Sequence, residues 1–214
     1  FKDDWSMPGK VYAAVLPEDL SVFDREHQLK IQVIKENMLK NHGYYRIVEN
    51  DMDTCLISAD WGVYRFFPPA DIKGEWEIDQ LLDTPSSDAV LVDFDGDGEK
   101  ELAVLSPYHG DKICIYKKLD KGFERVYEYE KPADFTHAIY GGSLCGKQVL
   151  IVGHRKAERN LIVFWRDEEK GYCWELIDED CGSANVFHFV DEGKDILISA
   201  NRENDEIAMY TLEW

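Results

Sequence analysis

Long apolar runs are missing from this sequence. No stretch approaches the roughly 18–20 residues that a membrane-crossing helix requires, so membrane insertion is not expected. Basic residues are also short: Lys and Arg number 24 against 43 Asp and Glu, a formal net charge of −19. A field of that sign repels phosphate backbones and anionic lipid surfaces. Nucleic acid is therefore not expected as a partner, while cations, neutral polar ligands and basic proteins stay open. Cysteine is sparse and odd in number: Cys55, Cys114, Cys145, Cys173 and Cys181, with no C-x-x-C pair. Neither a zinc ribbon nor a full disulfide set is signalled. Buried thiols are expected, which favours a reducing, cytoplasmic compartment. The chain opens on Phe1 and not on Met, which leaves room for a removed leader and hence for secretion. There is no P-loop, no G-x-S-x-G, no G-x-G-x-x-G and no H-E-x-x-H. Helical periodicity is confined to Val33–Asn41, where one or two turns compete with a strand reading.

What is present is repetition. Hydrophobic residues make up 44% of the chain and aromatics 13%, a globular composition. Short β-branched or aromatic runs are bounded by Gly, Asp, Lys and Pro, the signature of strands and turns. One triplet runs Glu101–Ser106, Lys112–Lys117 and Phe123–Tyr129. It recurs as Gln148–Val152, Asn160–Trp165 and Tyr172–Ile177. Upstream it recurs as Thr54–Ser58, Val63–Phe67 and Trp76–Leu81. Partial copies lie at Asp195–Ser199 with Glu206–Thr211, and at Val11–Val15, Leu20–Phe23 and Leu29–Ile34. A further strand precedes most copies: Tyr44–Val48, Ala89–Asp93, Thr136–Tyr140 and Asn185–Val190. Comparable positions Ser58, Ser106, Gly153 and Ala200 recur about every 47 residues, near the period of propeller blades.

These patterns predict an all-β chain: one β-propeller domain over residues 1–214, built from four-stranded antiparallel blades. Five blades are expected, at about 9–36, 44–83, 88–130, 136–180 and 184–214. The first and last would share strands to hide sheet edges, with Phe1–Trp5 supplying one. An open piece of a larger propeller and a two-sheet sandwich are the rival readings.

The most specific local signal is Asp93-Phe-Asp95-Gly-Asp97-Gly-Glu99-Lys-Glu101. Alternate residues of a tightly wound loop point inward, and Gly96 and Gly98 permit the winding. Asp93, Asp95 and Asp97 can therefore converge, with Glu99 offering its carbonyl and Glu101 closing the site. Hard cations such as Ca²⁺ take six to eight such oxygens. An EF-hand would need flanking helices, and here the flanks read as strands. The strand–loop–strand form resembles the FG-GAP/VCBS repeats of the integrin α-subunit propeller class, over roughly residues 88–118. That resemblance implies one structural Ca²⁺ between the first two strands of a blade. Glu101 departs from the Asp usual at its position. A metal-free polar turn is the plain alternative.

Strand order places the remaining loops on one face, around the axial funnel. They contain Asp60 and Trp61, Tyr108 and His109, His154 and Arg155, and Asn201 and Arg202. The junctions between blades add His42, Asp88, His137 and Asn185. His109, His137 and His154 could hold a second metal or act as acid and base. Arg155 and Arg202 could clamp a carboxylate, and Trp61 and Tyr108 could stack on a sugar. The histidines also resemble those of propeller lyases and dehydratases of the aldos-2-ulose dehydratase type. Three readings follow: a binding module for carbohydrate or protein, a carbohydrate lyase or dehydratase using His109, His137, His154 and Arg155, and a structural repeat domain. His188 reads as packing and His27 as a turn residue.

Overall fold

The computed structural model describes residues 5–71 and 74–212. Strands dominate, and among the described residues there is no α-helix. β1 (Gly9–Ala13) and β2 (Gln32–Met38) form a two-stranded ribbon. β3 (Tyr44–Glu49), β4 (Met52–Ala59), β5 (Gly62–Phe67) and β6 (Glu77–Leu82) form the first four-stranded sheet. β7 (Asp88–Val92), β8 (Glu101–Ser106), β9 (Lys112–Leu119) and β10 (Gly122–Glu128) form the second. β11 (Thr136–Leu144), β12 (Lys147–His154), β13 (Leu161–Asp167) and β14 (Gly171–Asp178) form the third. β15 (Ser183–Asp191), β16 (Lys194–Asn201) and β17 (Glu206–Leu212) complete the series. Every sheet is an antiparallel meander, and the sheets follow one another as β-propeller blades.

The core lies between blades and not within them. Leu56, Val63, Leu91, Leu102 and Val104 pack the first sheet on the second. Val90, Leu105, Ile113, Leu150 and Phe164 pack the second on the third. Ile151, Leu161, Val186 and Leu197 pack the third on the fourth. The two middle sheets are therefore covered on both faces, and β8 is buried along its whole length. That explains why Leu102–Leu105 reads as an unbroken apolar run and not as an alternation. The fourth sheet has a bare far face, on which Phe187, Ile207 and Met209 are exposed.

Among the described residues there are four blades, not five. The expected first blade, 9–36, is only the ribbon β1–β2, which packs Val11 and Met38 onto Ala59, Tyr64 and Phe66 of the first sheet. Its middle run, Leu20–Phe23, is not a strand. Asp19 Oδ1 accepts hydrogen bonds from the Ser21 amide and hydroxyl, and Asp24 Oδ1 accepts from the Glu26 and His27 amides. Such Asx turns offer the backbone an alternative to a ladder. Among the described residues no sheet combines strands from both ends of the chain, so the expected strand sharing is absent there. Residues 1–4, part of the fragment expected to supply that strand, lie outside the described residues. Val33–Met38 is extended, which settles the helix-or-strand question for that run. All five cysteines are free thiols. Among the described residues no helix is long and apolar enough to cross a membrane.

Candidate functional site

Two clusters of chemistry-bearing side chains stand out. The first is the β7–β8 loop. Gly96 and Gly98 have φ of +70° and +89°, which a side chain would strain. The winding they allow brings one oxygen each of Asp93, Asp95 and Glu101 within 4.8 Å of one another. Glu101 is fully buried, and its Oε2 accepts from the Phe94 amide at 2.9 Å. Asp93 Oδ2 accepts from the Gly98 amide at 3.2 Å, and Asp97 Oδ1 from the Glu99 amide at 2.8 Å. Asp93 Oδ1 is buried yet accepts no hydrogen bond, and the buried Glu101 Oε1 meets only an ion-pair partner. Glu99 is exposed.

A lysine that sequence reading did not single out enters this loop. Leu102 pairs with Tyr116, so Lys117 follows directly across from Glu101. Its ammonium lies 2.5 Å from Asp95, 2.6 Å from Asp97 and 3.2 Å from Glu101 Oε1. Burial pushes the Glu101 carboxyl up, while the hydrogen bond from Lys117 holds Asp97 down. The hydrogen bonds to Asp95 and Asp97 raise Lys117. The all-oxygen donor set and the unpartnered buried Asp93 Oδ1 fit a hard cation. Lys117 supplies one positive charge to the same place.

The second cluster is on the loop face. His42, His109 and His137 each offer a ring nitrogen, and these lie within 4.8 Å of one another. Backbone hydrogen bonds at the blade junctions hold them there. The His42 amide donates to Ser58 and the Gly43 amide to Ser87, which itself donates to Leu105. The Thr136 amide and hydroxyl both donate to the Gly110 carbonyl, fastening the start of β11 to the β8–β9 loop. Tyr108 and His109 rings stack at 4.0 Å, and His109 stacks on Phe135 at 4.4 Å. Trp5 reaches Tyr108 at 5.4 Å. Cations ring this run: Arg155 lies 4.7 Å and Lys156 4.9 Å from the Phe135 ring, with Lys40 5.9 Å from Tyr108.

His109 and Phe135 are bulky residues in left-handed backbone, with φ of +49° and +63°. Conformations of that kind gather at ligand and active sites. The two rings line a shallow cavity of about 350 Å³ together with Asp111, Asp134 and Lys156. Burial lowers the His109 imidazole to about 4, helped by His42, His137 and Lys156 nearby. His42 is lowered by burial and then by His137. Asp88, next to this cluster through Gly43, is pushed up to about 7 by burial.

The other expected face residues are placed differently. His154 is buried; its Nδ1 is 3.0 Å from the Lys156 carbonyl and its Nε2 accepts from the Asn160 amide, so it staples its own hairpin. Asn201 is buried among Ser199, Glu206 and Tyr210. Asn185 accepts from the Val186 amide, and Arg202 pairs with Glu203. Arg155 stays near the rings but is paired with Glu203 at 2.6 Å. Asp60 pairs with Lys40, and Trp61 is exposed on its turn. His188 bridges Tyr140 and Asp195, and His27 sits in the Asp24 turn. Thus Tyr108, His109, His137 and Arg155 come together with His42, while Phe135, Lys40 and Lys156 are additions. Phe135 was legible only as the residue ahead of β11, a junction position like that of His42. Compared with known proteins, the chain matches no protein-family model and no curated protein.

Proposed function

We propose that this protein is a propeller binding module, fastened by a calcium ion at the β7–β8 loop and presenting its ring-lined loop face to a carbohydrate. The observation that carries the reading is the cavity beside His109 and Phe135. It offers flat rings against which a sugar face can stack, with Asp111 and Asp134 as acceptors for hydroxyls. The ion would be held by Asp93, Asp95, Asp97 and Glu101, displacing the Lys117 ammonium. Its role would be to neutralise carboxylates and fix the loop. The test is a glycan array probed with the protein, Tyr108→Ala and Phe135→Ala. Binding to a defined saccharide that drops about tenfold or more in both variants is expected, from the loss of a stacking ring. No saccharide bound, or variants that bind as tightly as the wild type, would overturn the reading.

A further inference from the structure

We propose that His42, His109 and His137 form a site for one divalent transition-metal ion of the zinc type, with a fourth position open to water or a carboxylate-bearing ligand. The proposal shares only its location with the carbohydrate reading, and its test uses the metal alone.

The separations are those of a coordination shell. His42 Nε2 and His109 Nε2 are 3.4 Å apart. Two nitrogens, each about 2.0–2.1 Å from a tetrahedral ion, lie about 3.4 Å from each other. The ring centroids form a nearly regular triangle with sides of 5.0, 5.0 and 5.3 Å. Three imidazoles around one tetrahedral ion would place them about 5.2 Å apart, the added length being the half-width of each ring.

The outer shell matches as well. His137 Nδ1 lies 2.8 Å from the Ala184 carbonyl. As a donor there, it leaves Nε2 as the nitrogen with a free lone pair. The backbone of Ser87 gives His42 a comparable anchor. Backbone carbonyls holding the distal N–H are the usual means of aiming a ligating imidazole. None of the three pairs with a carboxylate among the described residues, whereas His27 and His188 do. A group of imidazoles without an acid has no electrostatic reason to assemble, since any protons they gain repel one another. A shared cation supplies the reason. The ligands come from the β2–β3 junction, the β8–β9 loop and β11, so an ion would clasp three blades. Imidazole donors select ions of the zinc, copper or iron class over calcium. Three protein ligands leave one position for an exchangeable group. The ammonium of Lys156, over Phe135 and felt by His109, favours an anion there.

The experiment is titration of chelator-treated protein with Co²⁺, followed by Zn²⁺. Wild type, His42→Gln, His137→Gln and Asp95→Asn are compared, with circular dichroism and urea midpoints verifying the fold. Wild type should take up one Co²⁺ with the visible absorption of a tetrahedral nitrogen-ligated ion, displaced by Zn²⁺. Each histidine variant should bind more than about 100-fold more weakly, beyond what outer-shell changes cause. Asp95→Asn should bind as wild type does. Histidine variants that keep wild-type affinity would overturn the proposal. So would a wild type without the tetrahedral spectrum, which would leave a direct N–H···N bond between His42 and His109. Loss of the signal in Asp95→Asn would move the ion to the acidic loop and equally overturn it. Should one histidine variant fail to fold, the other and His109→Gln carry the same comparison.

Discussion

At the β7–β8 loop, Asp93, Asp95 and Glu101 converge around the ammonium of Lys117; at the blade junctions, His42, His109 and His137 converge with none of the three ion-paired to a carboxylate among the described residues. The first cluster gathers negative charge and already carries an internal counter-ion. The second gathers imidazoles, of which His109 and His42 are held below the usual range by desolvation and by their neighbours. The lesson concerns selectivity. Hard oxygens with a competing ammonium suit a cation that can outbid a lysine, whereas uncharged imidazoles suit a softer ion. Position reinforces the contrast. One cluster belongs to a single loop, and the other is assembled across three chain segments.

The sharpest way to break this comparison is Lys117→Met. It leaves the buried Glu101 carboxylate without its ammonium, which should cost about 3 kcal/mol in a chelating buffer. Added Ca²⁺ should restore most of the loss, read as the urea midpoint with and without the ion. Equal midpoints in both buffers would show that the loop does not exchange lysine for metal. A smaller effect is expected from Gly43→Ala. A Cβ there would meet Asp88 Oδ1 at 2.3 Å and Asp88 Cα at 2.6 Å. Backbone must shift, at about 1–3 kcal/mol, and His42 moves with it. Co²⁺ binding should weaken while Ca²⁺ binding stays put; parallel losses would mean the clusters are coupled. The smallest effect is pH dependence. The His109 pKa is depressed to about 4 in the fold, so the unfolded chain takes up the proton first as pH falls. Its contribution is whole above pH 6.5 and drains away toward pH 4. For this partly exposed ring, screening reduces the amount to about 1 kcal/mol. His109→Gln should flatten the wild-type stability profile between those values without changing it at pH 8. Asp88 slopes the opposite way, losing stability as pH rises toward 7, and cancels in the difference between the two proteins.

Most of the strands were legible because their signals were local. Glu101–Ser106 was bounded by charge and proline and is β8 to the residue. The first unit was not legible, because Asp19 and Asp24 look like ordinary turn-flanking acids until their carboxylates are seen capping amides. At the acidic loop the sequence carried Asp93, Asp95 and Glu101 but not Lys117, which joins them only through strand register. On the loop face, His109 and His137 were legible as repeat positions. His154 shared the same kind of position, yet the Asn160 amide turns its ring inward. Repeat position fixes where a side chain starts, and the neighbouring backbone decides where it points.

The uncovered side of the fourth sheet has a colloidal consequence. Phe187, Ile207 and Met209 form a surface that water disfavours, on a molecule whose excess of acids makes copies repel. Dispersal in solution thus depends on long-range repulsion outweighing short-range stickiness. Strong electrolyte shortens the reach of the first and leaves the second intact, so concentrated stocks keep best in dilute buffer.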